Sequence, residues 1–511
     1  MSPAPASGGR ALSEIVAERR RKAEALQARG IRPWGVDFQP STTCAAAASQ
    51  APSDPGATGG SVQVAGRLLR IRPAGGIAFL DLVDESGSLQ LLASRDAKAT
   101  GPWELLPELD LGDLVGAEGH LTRTRSGEPS LELGGLTLLA KSLRPPAAKH
   151  RGVVDVEQRY RRRYLDLLSD PSARAIFRQR SQVVAGLRRV LDERGFLEVE
   201  TPVLQAIPGG GAARPFRTHH NSLHTDLYLR IALELYLKRL LVGGFERVYE
   251  LGRTFRNEGL SPRRNPEFTL LEAYQAYGDL DAMRELCQAL VVAAVKAAGD
   301  PGAGPRAALQ PPFPSRGMAE LVEEATGLEL DPLWERPEEL AARARQLLVE
   351  VPAGASPGQV LQVLYEALVE PRIREPLFVT DHPLELSPLA RRGPDPRFAE
   401  RFELVVAGRE LANAFAELND PLEQRARLEE QARRRAEGDF EAQSFDEDFV
   451  QALEQGMPPA GGIGIGVDRL VMLVTGASSI RDVLLFPTLR PRSPEGGGDS
   501  GEEHPDVPST L

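Results

Sequence analysis

The chain has 511 residues, 41% of them hydrophobic and 26% charged, which is enough for two or three domains with cores of their own. Its 61 basic and 72 acidic side chains give a net charge of −11. This charge excludes a protein that covers nucleic acid nonspecifically, but it is compatible with a local basic patch that binds RNA. Two cysteines are too few for a disulfide framework or a cysteine-rich zinc site, so a reducing cytoplasm is expected. The N-terminus lacks a signal-peptide pattern and the longest apolar run, 289–295, is too short to span a bilayer, so no membrane association is expected.

The first part of the chain contains a helix, a linker and a group of short strands. Residues 1–61 are predicted to form an N-terminal helix at 12–29, followed by a low-complexity linker at 41–61 that is rich in Ala, Ser, Pro and Gly. Between residues 62 and 145, five short apolar runs are separated by Gly, Pro or Asp turns. Five strands in so short a stretch predict a small β-barrel such as the OB-fold.

Helical segments alternate with apolar strands over residues 146–492, which predicts a larger α+β domain. The apolar spacing from Ile176 to Leu191 predicts a helix, and Gly195 suits its C-terminal cap. The remaining tail, 493–511, is rich in Gly and acidic residues and is predicted to be disordered.

The segment 248–277 predicts a hairpin with an aromatic and acidic face. Strand alternation places four side chains of its second strand on that face: Phe268, Leu270, Glu272 and Tyr274. The connecting loop is charged and contains Arg256, Glu258, Arg263 and Arg264. Arginine forks bind phosphate oxygens and an aromatic ring can stack on a base, so this hairpin is a candidate nucleotide site. An exposed hairpin that is simply charged fits the spacing equally well.

A second predicted hairpin, 401–420, has an acid on each side of its turn, Glu403 and Glu410. Alternation then places three side chains on one face: Asn413, Phe415 and Glu417. Two carboxylates close to phosphate-binding arginines indicate a magnesium site, because this ion usually takes one or two carboxylates together with substrate phosphates. The alternative, a surface strand with exposed acids, does not explain why an acid shares a face with a phenylalanine.

The segment 461–475 joins a glycine-rich strand to a helix. Its glycines at 462, 464 and 466 do not have the spacing of a dinucleotide-binding fingerprint. Arg469 would lie in the first turn of the helix, where a cation opposes the helix dipole, so it is expected to meet an anion; a solvent-facing arginine is the alternative. The sequence lacks the nucleophile elbow of hydrolases, a P-loop and an HExxH zinc helix.

Together these segments closely resemble the bacterial lysyl-tRNA synthetases of class II. The resemblance extends from about residue 12 to 492 and is carried by GFLEVETPVL (195–204), PGGGAARPF (208–216), LRIALELYLKRLLVGGFERVYELGRTFRNEG (229–259), NPEFTLLEAY (265–274), GRELANAFAELND (408–420) and GIGIGVDRL (462–470). It implies an OB-fold anticodon-binding domain at 62–145 and, at 146–492, a class II catalytic domain built on an antiparallel sheet flanked by helices.

The resemblance implies ATP-dependent ligation of L-lysine to tRNA(Lys) through a lysyl-adenylate, for protein synthesis in the cytoplasm. The enzyme would use up to three Mg²⁺ ions per subunit, bound by Glu403 and Glu410, with Glu403 also in contact with ATP. The helix 176–194 and the GFLEVETP motif resemble the dimer interface of the family, so a homodimer is expected.

The resemblance also assigns the ATP contacts. Arg256 would bind the α-phosphate of ATP and the carboxylate of lysine. Arg469 would bind the γ-phosphate and cover the adenine opposite Phe268. Glu258 and Arg264 would complete the ATP site, although the family usually has His at the position of Arg264.

The implied lysine pocket consists of Gly210, Glu234 and Glu272 around the α-amino group, Tyr274 and Glu417 at the ε-ammonium, and Arg256, Asn413 and Phe415 around the remaining atoms. Acids at these positions fit a substrate with two ammonium groups, whereas a pocket for aspartate would need cations. Ala412 and Ala414 stand where relatives often have Gly, so a slightly tighter pocket is expected.

The barrel would bind the anticodon, with Phe79 stacking on the central uridine and Gln90 reading its edge. The alternative for Phe79 is a place in the barrel core, as is usual for a lone Phe on a short strand. The loop 71–79 has fewer basic residues than is usual in the family, so a modest affinity for the anticodon arm is expected.

Three other functions remain to be weighed. An aspartyl- or asparaginyl-tRNA synthetase shares the chemistry, but the acids of the pocket argue against it. A paralogue that attaches lysine to a protein lacks the N-terminal barrel in its known forms. A nucleic-acid-binding module or an inactive homologue would be expected to lack Arg256, Glu410 or Arg469, and all three are present.

Overall fold

The computed structural model describes residues 12–96, 101–146, 155–299, 309–439 and 442–491. The chain divides into two compact units, the first formed by Met1–Asp155 with Tyr164–Ser169 and the second by Val156–Arg163 with Asp170–Leu511. The predicted disordered tail, 493–511, lies outside the described residues. The finer domain boundaries at residues 61, 145 and 492 stay predictions.

The first unit contains α1 (Leu12–Ala28), α2 (Cys44–Gln50), β1 (Ser61–Ala74), β2 (Ile77–Val83), β3 (Ser88–Ser94), α3 (Gly101–Leu105), a 3₁₀ turn (Leu106–Glu108), β4 (Leu114–Arg123) and β5 (Pro129–Ala140). The strands form a closed barrel in the order β1-β2-β3-β5-β4, in which only β3 and β5 are parallel. Alternate residues of each strand, such as Leu80, Leu82 and Leu91, fill its interior. The predicted five-stranded barrel is therefore confirmed.

The predicted loose linker at 41–61 is wrong in part, because it includes helix α2. The hydroxyl of Thr43 caps this helix by accepting a hydrogen bond from the N–H of Ala46 at 3.3 Å. Cys44 and Ala47 are fully buried in the barrel core. A run of alanines has the composition of a linker, but alanine is also the best helix former and its small side chain packs closely.

The second unit begins with α4 (Val156–Arg161), and α5 (Arg163–Ser169) belongs to both units. It continues with α6 (Pro171–Glu193), β6 (Leu197–Glu198), β7 (Leu204–Gln205), β8 (Arg217–His220), β9 (Thr225–Leu229), α7 (Glu234–Val242), β10 (Arg247–Phe255), β11 (Glu267–Ala276), α8 (Leu280–Ala297), β12 (Ser315–Gly317), α9 (Met318–Thr326), α10 (Leu330–Trp334), α11 (Pro337–Gln346) and α12 (Pro357–Leu364). A π-helical turn (Tyr365–Val369) and 3₁₀ turns (Glu370–Arg372, Leu384–Leu386) lie around β13 (Leu377–Pro383). The last elements are β14 (Phe398–Val405), β15 (Glu410–Ala416), α13 (Pro421–Ala436), α14 (Glu447–Glu454), β16 (Ala460–Gly466), α15 (Val467–Thr475) and α16 (Ile480–Val483).

An eight-stranded sheet organises this unit in the order β12-β13-β14-β15-β16-β11-β10-β6. Its six central strands are antiparallel, and only the short edge strands β12 and β6 pair in parallel. Strands β7, β9 and β8 form a separate small sheet. The predicted α+β domain on an antiparallel sheet is confirmed.

The two faces of the large sheet have different neighbours. Helices α6, α8 and α15 pack on one face against Leu271, Phe402, Ala414 and Ile463. Residues of α7 and α14 form a second apolar cluster with Tyr274. Side chains alternate between the two faces along a strand. The residues that directly precede or follow Leu271, Phe402, Ala414 and Ile463 therefore lie on the opposite face, which carries the site. No helix of the described residues is long and apolar enough to cross a membrane.

Candidate active site

A cavity of about 740 Å³ lies on the open face of the sheet, between the two hairpins and the glycine-rich strand β16. Its lining includes every residue predicted to contact ATP, lysine or magnesium except Glu417: Gly210, Glu234, Arg256, Glu258, Arg264, Phe268, Glu272, Tyr274, Glu403, Glu410, Asn413, Phe415 and Arg469. Three segments that are far apart in sequence thus meet at one place, although their roles stay predictions.

Arginines and an aromatic ring occupy one part of the cavity. The guanidinium carbon of Arg256 lies 5.2 Å from the ring centroid of Phe268. Arg264, which is exposed, pairs through Nη1 with Oε2 of Glu258 at 3.3 Å. Arg256 therefore covers the ring on which an adenine is predicted to stack, and a cation–π contact of this kind favours a fixed position for the guanidinium.

Two arginines hold the two acids predicted to bind magnesium. Nη2 of Arg401 lies 2.5 Å from Oε1 of Glu403, and its Nε donates to Oδ1 of Asn413 at 2.9 Å. Arg469, in the first turn of α15, donates through Nη1 to Oε2 of Glu410 at 3.1 Å and to its carbonyl oxygen at 2.8 Å. The prediction that Arg469 meets an anion is correct, since its partner is Glu410.

The acids at 403 and 410 fit a magnesium ion that is shared with a phosphate substrate. Burial raises the pKa of Glu403 to about 7, with Arg401 acting in the opposite direction and Glu410 in the same one. A dication would relieve this burial of negative charge. Within the described ranges no three His, Cys, Asp or Glu side chains are arranged to hold a metal by themselves, so phosphate oxygens would have to complete the coordination.

Buried acids line another part of the cavity. Glu272 is buried and accepts hydrogen bonds from the N–H of Leu233 at 3.1 Å and from the hydroxyl of Tyr274 at 3.0 Å. Burial, reinforced by the charge of Glu234, raises the pKa of Glu272 to about 8. An ammonium group placed here would favour the ionised carboxylate and lower that pKa.

Glu417 is the one residue of the predicted ATP, lysine and magnesium sites that does not line the cavity. It is fully buried behind Gly462, which does line it. A Cβ atom at position 462 would stand 2.0 Å from Oε1 of Glu417 and 2.5 Å from the ring of Tyr274. Only glycine at this position leaves a passage between the carboxylate and the cavity, which gives this glycine a role that spacing alone did not suggest.

Ala412 and Ala414 do not tighten the pocket, contrary to expectation. Both are buried on the face of β15 that packs against the helices, whereas their neighbours Asn413 and Phe415 line the cavity. A methyl group at either alanine therefore contacts the core and not a ligand.

Sequence reasoning missed two charged residues of this region. Arg401 lines the cavity and positions both Glu403 and Asn413. Lys238 lies behind the cavity and pairs with Glu234 and Glu417. The spacing of four between Glu234 and Lys238 places them on one helix face and was the available signal.

Phe79 and Gln90 lie on the outer surface of the barrel. Both are half-buried, and both alternate with core residues of their strands. Phe79 pairs across the strands with Leu92 and Gln90 with Asp81, so the two side chains are diagonal neighbours on one face. Phe79 is thus not a core residue, and the guanidinium of Arg72 lies 6.0 Å from its ring.

The chain is similar over most of its length to proteins of one family. A family model described as tRNA synthetases class II (D, K and N) matches residues 155–490, and one described as OB-fold nucleic acid binding domain matches residues 62–144. A lysine–tRNA ligase of Moorella thermoacetica is 49% identical over 485 residues, covering 94% of this chain and 98% of that protein. A lysine–tRNA ligase of Synechococcus sp. (strain CC9605) is 49% identical over 502 residues, covering 96% and 100%. The chain therefore belongs to the lysine–tRNA ligases, within the class II aminoacyl-tRNA synthetases.

Proposed function

We propose that this protein joins L-lysine to tRNA(Lys) in two steps. In the first step, a carboxylate oxygen of lysine attacks the α-phosphorus of ATP, which forms lysyl-adenylate and releases diphosphate. In the second step, a hydroxyl group at the 3′ end of tRNA(Lys) attacks the lysyl carbonyl carbon and AMP leaves. The lysine carboxylate is already a competent nucleophile, so no covalent enzyme intermediate is needed.

The observation that carries this proposal is one cavity that brings together two arginines beside an aromatic ring and a group of buried acids. Arg256 and Arg469 lie with Phe268 in one part, while Glu234 and Glu272 lie in another. The first part suits a nucleotide triphosphate, and the second suits an amino acid that carries two ammonium groups. An aspartate or asparagine substrate has no second cation for these buried acids.

Catalysis would depend on alignment and charge neutralisation. Arg256 would hold the α-phosphate and the lysine carboxylate together, which replaces an encounter in solution by a fixed approach. Charge that builds up on the phosphate oxygens in the transition state would be stabilised by the same guanidinium and by Arg469. Arg469 would have to exchange its present partner, Glu410, for a phosphate.

Glu403 and Glu410 would hold magnesium together with the phosphates of ATP. When bound, the ion would neutralise phosphate charge. The resemblance to the family further predicts up to three ions per subunit. The movement of Arg469 away from Glu410 would free that carboxylate for the ion.

The barrel would bind the anticodon of tRNA(Lys) on the outer face of β2 and β3. Support comes from Phe79, whose ring lies outside the barrel core, and from Gln90 as its diagonal neighbour on the same face. Aromatic rings on this face of an OB-fold can stack on unpaired bases. Gln90 Oε1 accepts a hydrogen bond from Ser130 at 3.1 Å, which fixes the orientation of its amide.

A symmetric homodimer in the cytoplasm is the expected form of the enzyme. Support comes from exposed apolar side chains close to the edge strand β6: Leu197, Val203, Leu204 and Ile207. A patch of this kind can be covered by the same patch of a second copy. The two cysteines, both buried and free, fit a reducing compartment.

Pyrophosphate exchange with a panel of amino acids tests the substrate assignment. Lysine should support ATP-dependent exchange, whereas aspartate, asparagine and norleucine, which lacks only the ε-ammonium group, should not. Exchange with norleucine at a rate similar to lysine would show that the buried acids do not select the substrate.

A further inference from the structure

The ammonium group of Lys238 is completely buried behind the acidic part of the cavity. Its Nζ lies 2.7 Å from Oε1 of Glu234 and 2.5 Å from Oε2 of Glu417. The ring centroid of Phe415 lies 5.4 Å away, and the carbonyl oxygen of Leu389 accepts a weak hydrogen bond at 3.4 Å. Lys238 does not line the cavity itself, so it would act on a ligand only through the residues that it contacts.

Burying a lysine ammonium group has an unfavourable desolvation free energy that an apolar side chain does not have. Removing an ammonium and two carboxylates from water is unfavourable for each ion, and apolar side chains of the same volume are often as stable or more so. Burial would lower the pKa of Lys238, but Glu234 and Glu417 raise it, which keeps the ammonium charged. Packing alone therefore does not explain a charged lysine at this buried position.

The two carboxylate oxygens of Glu417 have different surroundings because Lys238 contacts only one of them. Oε2 is paired with the ammonium, whereas buried Oε1 has no hydrogen-bond partner among the described residues. Oε1 is also the atom that a Cβ at Gly462 would approach to 2.0 Å, so it faces the glycine that lines the cavity. One oxygen is held in place and the other is left available toward the cavity.

The charges of the pocket match its proposed substrate only when Lys238 is included. Three buried acids, Glu234, Glu272 and Glu417, face a single buried ammonium, which leaves a net charge of −2 when all are ionised. Lysine offers two ammonium groups, and its carboxylate is assigned to Arg256. Without Lys238 the buried pocket would contain three carboxylates and no ammonium group. Such carboxylates would take up a proton to reduce their mutual repulsion.

From this geometry we infer that Lys238 is a positioning residue for amino-acid selection, which holds Glu234 and Glu417 at separate ammonium-binding positions and offsets one negative charge of the pocket. The inference rests on the proposed function, in which lysine is the amino acid bound here. Lys238 contacts no substrate atom, so its effect must appear in lysine binding and not in ATP binding.

The test is Lys238→Met in the full-length enzyme, with lysine and ATP KM measured by pyrophosphate exchange at pH 7 and pH 9. At pH 7 the lysine KM should rise about tenfold or more, because the acids of the variant take up an additional proton that lysine has to displace, and each pKa unit corresponds to a factor of ten. At pH 9 the ratio of variant to wild-type KM should shrink toward one, because the acids have lost that proton. The titratable and charged groups that face this site, besides Lys238 itself, are Glu234, Glu417, Glu272, Tyr274, Arg401 and Arg256.

Lys141→Met provides a matched control. Lys141 is also a buried lysine, held by Asp110 at 2.6 Å and Asp113 at 2.8 Å within the barrel unit. Its replacement removes a buried ammonium of the same kind and should leave the lysine KM unchanged at both pH values.

A double-mutant cycle with Glu417→Gln separates positioning from general structural damage. If Lys238 acts through Glu417, the effects of the two substitutions on lysine KM should be clearly less than additive. A loss that is additive and equal at pH 7 and pH 9 would overturn the inference, as would an unchanged lysine KM in Lys238→Met. If Glu417→Gln alone leaves lysine KM unchanged, the lysine pocket itself is wrongly assigned and the proposed function fails with it.

Lys238→Arg keeps the inference testable should Lys238→Met not fold. The arginine retains the positive charge but changes its position, so the lysine KM should differ from that of the wild type by the same factor at pH 7 and pH 9. A ratio that falls strongly at pH 9 would contradict the assigned role of the charge.

Discussion

Lysine binding at pH 7 is expected to release about one proton from Glu272. This carboxyl is buried and lies close to Glu234, and these surroundings raise its pKa to about 8. At pH 7 a group with this pKa is mostly protonated. The α-ammonium of lysine favours the charged form, so binding at pH 7 should expel most of this proton.

Calorimetric titration of lysine without ATP measures this release. At pH 7 the heat of binding should differ between phosphate and Tris buffers in proportion to their ionisation enthalpies. Glu272→Gln is the control and should abolish the dependence on buffer. A heat at pH 7 that is the same in both buffers would refute the assignment of a protonated Glu272 in the free enzyme.

Four substitutions and one measurement of mass test the remaining assignments. Glu417→Gln should raise the lysine KM by at least about tenfold while the ATP KM stays near normal, because a buried pair at 4 Å carries roughly 4 kcal/mol of Coulomb energy at an intermediate dielectric before desolvation. Arg256→Ala should nearly abolish pyrophosphate exchange, whereas Arg264→His, at an exposed position, should have a mild effect; substantial exchange in Arg256→Ala would show that the hairpin is wrongly assigned. Phe79→Ala should raise the KM for tRNA roughly 5- to 150-fold, the equivalent of about 1–3 kcal/mol for one stacked base, without a change in lysine activation. Light scattering at micromolar concentration should give the mass of a dimer, and a fully active monomer would contradict the predicted interface.

Much of the site could be predicted because its residues follow the two-residue period of strands. Phe268, Glu272 and Tyr274 occupy alternate positions of β11, and all three line the cavity. The same period explains an error: Ala412 and Ala414 are neighbours of a cavity residue in sequence and therefore lie on the opposite face. The alternation along β15 therefore places both alanines in the core.

Other features depended on contacts between distant segments. The sequence shows that Glu234 and Lys238 share a helix face, but not that this face meets Glu417, which lies 179 positions after Lys238 in the chain. The passage at Gly462 likewise depends on how β16 pairs with β11 and β15. Helix α2 was hidden by composition, because alanine-rich sequence is compatible with both a linker and a packed helix.

Charging of total tRNA is the most direct test of the central claim. The purified enzyme should be incubated with ATP, magnesium, total bacterial tRNA and each of the twenty amino acids separately, and the charged species should be identified. We expect lysine to be attached, and only to tRNA(Lys). Attachment of aspartate or asparagine, or no charging with any amino acid by a folded enzyme, would contradict the account.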